Sequence, residues 1–175
     1  MDTLIHSIWG AIHTGAAVFA LLVGPILFLR AKGGVSHRIL GYGYVAAMVV
    51  VCLAGWPIRN SGAELSPFHY LSIVSLVTVL LGAAFAFAAT RIVRSARSRD
   101  GLVHGHLYWM GWSYIGLAAA GLAQVGSRLV SPEEYFGSGG WIAVAVASGA
   151  AIGVGALILQ WTRPALARRY FPTSS

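Results

Sequence analysis

Five apolar segments divide this chain, and each is long enough to cross a lipid bilayer. They run over residues 4–29, 37–56, 67–93, 102–125 and 140–161. A spanning helix needs about 20 predominantly apolar residues. Lipid offers the backbone no hydrogen bonds, so such segments satisfy their own N–H and C=O groups as helices. The reading is therefore all-α: a polytopic membrane helix bundle in one transmembrane domain over residues 1–175. Composition agrees, since 57% of the residues are hydrophobic and only 10% are charged. A water-facing globule of this size carries far more charge. The N-terminal stretch "MDTLIHSIWG" has no basic leader, and the run that follows is long enough to span. It reads as a retained helix rather than a cleaved signal.

The links carry the expected punctuation. In "AKGGVS", Ser36 is placed to cap the second helix. Ser66 and Pro67 read as the cap and first residue of the third. Pro132, Glu133 and Glu134 suggest a short interfacial helix before the last span. Pro25 is expected to bend the first span near its inner end, because proline removes a backbone hydrogen bond.

Charge placement orients the bundle. The 30–38 link holds Arg30, Lys32 and Arg38, and the 91–100 link holds Arg91, Arg94, Arg97 and Arg99. The C-terminal tail adds Arg163, Arg168 and Arg169. With five alternating spans all of these fall on one side, leaving Arg59 and Arg128 on the other. The positive-inside rule then places the N-terminus outside and the C-terminus in the cytoplasm. The net charge of +7 does not imply nucleic acid, because the basic residues lie between apolar segments and build no reading helix. Cys52, the single cysteine, cannot form an internal disulfide and reads as a small buried hydrophobe.

With lysine and aspartate absent from the spans, histidine is the recurring ionisable side chain within them, and burying its ring is costly unless something binds it. The six histidines separate by depth. His6 and His13 lie in the outer half of span one, and His69 at the outer end of span three. His37 lies at the inner end of span two, and His104 and His106 at the inner end of span four. Each cluster joins two helices, as bis-imidazole ligation of haem b requires. Two haems in this layout would carry an electron from one face to the other.

Helix geometry favours His37 with His106 at the inner site. His104 and His106 are about 200° apart around the helix axis, so one direction cannot serve both. His104 is the reserve ligand. At the outer site His13 lies deeper than His6, and is taken with His69. His6 either bonds a haem propionate or faces the headgroups. Arg38 is a candidate for a propionate or a lipid phosphate, and Trp109 and Tyr114 for the wall of a haem or quinol pocket. The six tryptophans lie mostly near helix ends, where an interfacial aromatic belt is the default role.

Other chemistries leave weaker traces. A divalent transition metal lacks a Cys, Asp or Glu partner within the spans. No phosphate-binding glycine loop, nucleophile elbow or CxxCH motif is present. Two rivals to electron transfer stay open. One is a cofactor-free accessory subunit that packs on a membrane protein partner, or on its own copy, through glycine-rich faces such as "GAAIGVGAL". The other is a metal or small-solute transporter with a hydrated path between the clusters.

Three stretches carry a family resemblance: "HTGAAVFALLVGP" with His13, "HRILGYGY" with His37, Arg38 and Tyr44, and "HLYWMGWSY" with His106, Trp109, Ser113 and Tyr114. Together with Arg128 they resemble the bacterial membrane family known as domain of unknown function 2306. The resemblance selects His106 over His104 and His13 over His6, and implies no activity. The family usually has arginine just after the third motif's histidine and another before its Ser-Tyr. This chain has Leu107 and Trp112 there, so any role of those arginines toward an anionic ligand does not carry over. The two-sided histidine layout is also similar to transmembrane di-haem b cytochromes, which implies crossed pairs on four helices.

Overall fold

The computed structural model describes residues 8–30, 32–57, 67–92, 96–129 and 138–170. Among them there are five helices and no strand: α1 (Ile8–Leu29), α2 (Val35–Ala54), α3 (Pro67–Arg91), α4 (Ala96–Leu129) and α5 (Ser138–Tyr170). Each apolar segment of the sequence falls largely within one helix. The helices α4 and α5 extend well beyond the apolar segments they contain. Apolarity marks what suits lipid, whereas helix continues until a breaker stops it. The stretch "ARSRDG" at the start of α4 contains no proline, so the helix begins before the apolar run.

The α1–α2 link corrects one expectation. Gly33 adopts φ +85, a left-handed conformation that glycine reaches without penalty. The chain has turned by that point, so Gly34 sits extended at the cap position and makes no side-chain cap bond. The helix starts at Val35, and Ser36 lies in its first turn rather than at its cap. On the other side of the link, α1 passes through Pro25 and ends at Leu29. Its last carbonyls are closed by the Lys32 amine, which donates to Leu27 and to Phe28, the latter at 3.1 Å. A cation at a helix C-terminus also complements the macrodipole. Pro67 opens α3 as expected, while Ser66, His6, Arg59 and Pro132–Glu134 lie outside the described residues.

Among the described residues, four stretches are long and apolar enough to cross a membrane: Ile8–Leu29, Val35–Ala54, His69–Arg91 and Ala145–Thr162. Large apolar side chains stand exposed along them, among them Leu22, Leu53, Val74, Phe87 and Leu157. Lipid is the environment in which such surfaces are stable. The helix α4 is long enough but is diluted by glycine, serine, histidine and aromatic residues, and is not among the four.

The chain divides into two compact units, residues 1–113 and 114–175. In the first, α2 packs against both α1 and α3. Tyr44, Ala47, Met48 and Cys52 form the buried stripe of α2, at the spacing of one helical face. Cys52 is a buried free thiol. The first part of α4 joins α3 by close approach at glycine. A side chain on Gly82 would meet Met110, and one on Gly105 would meet the Phe85 ring. In the second unit, Gly155 of α5 lies against Ile115 in the same manner. Small residues let membrane helices pack backbone to side chain, which supplies the dispersion contact that drives association in lipid.

Candidate functional site: two histidine groups

The first unit holds a histidine group at each end of α2. At the N-terminal end of α2, His37 and His106 lie within electrostatic reach of each other. Lys32 is within reach of both. The His106 Nδ1–H donates to the Gly82 carbonyl of α3 at 2.8 Å. That bond fixes the tautomer and leaves Nε2 as the unprotonated nitrogen. Gly82 makes it possible, since with no side chain the α3 backbone comes close to α4. His37 keeps its Nδ1 buried with no hydrogen-bond partner among the described residues.

His104 is oriented differently. Its Nδ1–H donates to the Asp100 carbonyl one turn earlier on α4, at 2.8 Å. The angle between positions 104 and 106 therefore sends one ring to its own helix and the other to α3.

One layer further along, Tyr44 Oη and Ser113 Oγ share a hydrogen bond of 3.0 Å. Tyr44 is 1% exposed and Ser113 0%, so neither hydroxyl has water as an alternative. Seven residues separate His37 from Tyr44, and seven separate His106 from Ser113. Seven residues are about two turns, so both pairs occupy one face of their helices. The Tyr44–Ser113 bond and the electrostatic neighbourhood of His37 and His106 occur in the same order along α2 and α4, so these helices run in the same direction.

At the C-terminal end of α2, the His13 Nδ1–H donates to the Val51 carbonyl at 2.9 Å. That carbonyl also accepts the Gly55 N–H at 3.2 Å. The His13 ring packs directly on Gly55, where a Cβ would stand 3.5 Å from it, an ordinary van der Waals contact. The next residue, Trp56, meets the buried His69 edge-on, with ring centroids 5.4 Å apart. His13 from α1 and His69 from α3 thus both pack on the 55–56 turn. Beneath them the Ser72 hydroxyl donates to the Cys52 carbonyl at 3.1 Å.

The remaining candidates are less involved. Arg38 is exposed. Trp109 and Trp112 both lie edge-on to Tyr108, at 5.3 and 6.2 Å. The Trp112 Nε1–H is buried with no hydrogen-bond partner among the described residues. Tyr114 belongs to the second unit. No group of three or more metal-binding side chains occurs among the described residues.

Sequence reasoning missed three contributors: the Gly82 carbonyl, the Val51 carbonyl and Lys32. The carbonyls carry no side-chain signal. Lys32 was counted only as a charge of the basic link, although it is the single lysine of the chain. Burial pushes its amine down from 10.5 to about 8, because leaving water disfavours the charged form. Amine-directed acylation followed by peptide mapping is expected to show Lys32 reactivity rising through pH of about 8. A rise only above pH 10, as for a solvated lysine, would contradict the buried position.

No curated protein and no solved structure matches the chain. A family model described as predicted membrane protein (DUF2306) matches residues 10–162. That match covers most of the sequence, and the chain belongs to this family of membrane proteins.

Proposed function

We propose that this protein is an electron carrier of the bacterial inner membrane that binds haem b and exchanges electrons with a quinol-type partner. His37 and His106 would hold one iron, and His13 and His69 a second. The observation that carries this reading is the orientation of His106. Its Nδ1–H is committed to a carbonyl of a third helix, which leaves Nε2 to ligate, and a second imidazole lies within electrostatic reach on α2. Metal-bound histidine commonly uses its other nitrogen in this way. His13 repeats the arrangement toward Val51. A donor set of neutral imidazoles at two levels fits haem iron, and fits poorly a metal that needs carboxylate or thiolate ligands. Bound haem supplies one-electron chemistry. The chain's own part is to hold the rings, exclude water and set the potential through burial and hydrogen bonding.

The same proposal takes both units as one transmembrane domain of five spans, with the N-terminus outside. The concentration of basic residues in alternate links supports it, as does the shared direction of α2 and α4. The modest apolarity of α4 suits a helix that faces other helices and a ligand. Lys32 reports the orientation. A membrane-impermeant amine reagent is expected to modify it in inverted vesicles and spare it in intact cells, and the reverse pattern would overturn the orientation.

Reduced-minus-oxidised absorption of protein purified in mild detergent from haem-replete cells tests the function. A sharp b-type alpha band is expected, and its absence would end the haem reading.

A further inference from the structure

The inner histidines come from two helices that no covalent link holds level. α2 and α4 are separated in sequence by all of α3, and a register shift by one residue displaces a helical side chain by about 1.5 Å along the axis and about 100° around it. Apolar packing in lipid resists such a shift weakly, because lipid chains are as apolar as the side chains they replace. A directional bond between the two helices is a stronger constraint on register. Such a bond joins side chains of α2 and α4 at the 3.0 Å contact of Tyr44 and Ser113.

That bond has the features of a register pin. Both residues are fully buried, so neither hydroxyl can exchange the bond for one to water. Both stand seven residues beyond the histidine of their own helix. Whatever offset the hydroxyl pair imposes is therefore transmitted unchanged to His37 and His106, about 10 Å along the helices. Met48, one turn beyond Tyr44, is wholly buried and keeps that face of α2 against its neighbours.

We infer that the Tyr44–Ser113 hydrogen bond sets the register of α2 on α4 and so holds His37 level with His106. Tyr44 and Ser113 are thus positioning residues for the inner histidine pair. The role builds on the functional reading above, and its test requires no haem.

Disulfide crosslinking in membranes provides that test. In a Cys52→Ala background, His37→Cys is paired with a second cysteine at His106, or one turn away at Val103 or Met110. Mild oxidation is expected to link 37 preferentially to 106. Tyr44→Phe and Ser113→Ala should each lower the 37–106 yield by about three- to tenfold, the range one interhelical hydrogen bond represents, and raise the yield at 103 or 110. The two together should be no worse than either alone, since they remove the same bond. Ser113→Thr, which keeps the hydroxyl, should restore the parent pattern. The inference is overturned if 37 and 106 fail to link in the parent, if the yield is indifferent to both changes, or if threonine fails where alanine fails. Should the crosslinks behave as expected while the purified protein carries no haem, the pin stands and the haem reading alone falls.

Discussion

Gly82→Val is expected to abolish most recoverable folded protein, lowering the monodisperse yield in detergent by tenfold or more. A Cβ at position 82 would stand 2.6 Å from Met110 Sδ, 2.9 Å from its Cγ and 3.2 Å from its backbone nitrogen. The thioether end is flexible and can swing away. The backbone nitrogen cannot, so α4 itself must retreat from α3, and valine adds two further carbons to the clash. Overpacking of this kind costs about 1–3 kcal/mol. Here the retreat also draws His106 away from the Gly82 carbonyl that orients it. The milder Gly82→Ala should be partly rescued by Met110→Ala, which removes the flexible part of the obstacle. Gly41→Ala, where an added Cβ meets nothing within 4 Å, should leave the yield unchanged. Equal behaviour of Gly41→Ala and Gly82→Val would contradict the close packing of α3 and α4.

His106→Ala is expected to halve the haem recovered per chain, as is His37→Ala, while His104→Ala leaves it unchanged. His106 and His104 are two residues apart and chemically identical, so the contrast rests on direction alone. His106 turns to α3 and lies within reach of His37, whereas His104 bonds its own helix at Asp100. Pyridine haemochrome assay of the three purified variants measures the ratio directly. Loss of haem from His104→Ala with retention in His106→Ala would reverse the assignment.

The membrane character of the chain is legible in its sequence because twenty-residue apolar runs have few alternatives in water. The direction of each histidine is partly legible as well, since helix angle alone separates positions 104 and 106. What recruits each ring is not. Val51 and Gly82 present carbonyls, and every residue has one, so no pattern of side chains marks them. Ser36 has the chemistry of a cap, but the left-handed turn at Gly33 ends the link sooner, so Gly34 takes the cap position and α2 begins at Val35. The helix α4 shows the converse limit. Its apolar run identifies the part suited to lipid, while the continuous helix follows propensity and reaches back to Ala96. The Tyr44–Ser113 pair did leave a trace, in the seven-residue spacing shared by two motifs, but one sequence cannot reveal that the two spacings face each other.

In the proposed site, imidazoles from two helices share one iron. Low-temperature electron paramagnetic resonance of the oxidised protein, purified from haem-replete cells, tests it most directly, because the ferric signal reports axial ligands as well as the presence of haem. Low-spin ferric iron with two imidazole ligands is expected, with loss of one such component in His106→Ala. A spectrum without ferric haem, or with only high-spin iron bearing a single protein ligand, would contradict it.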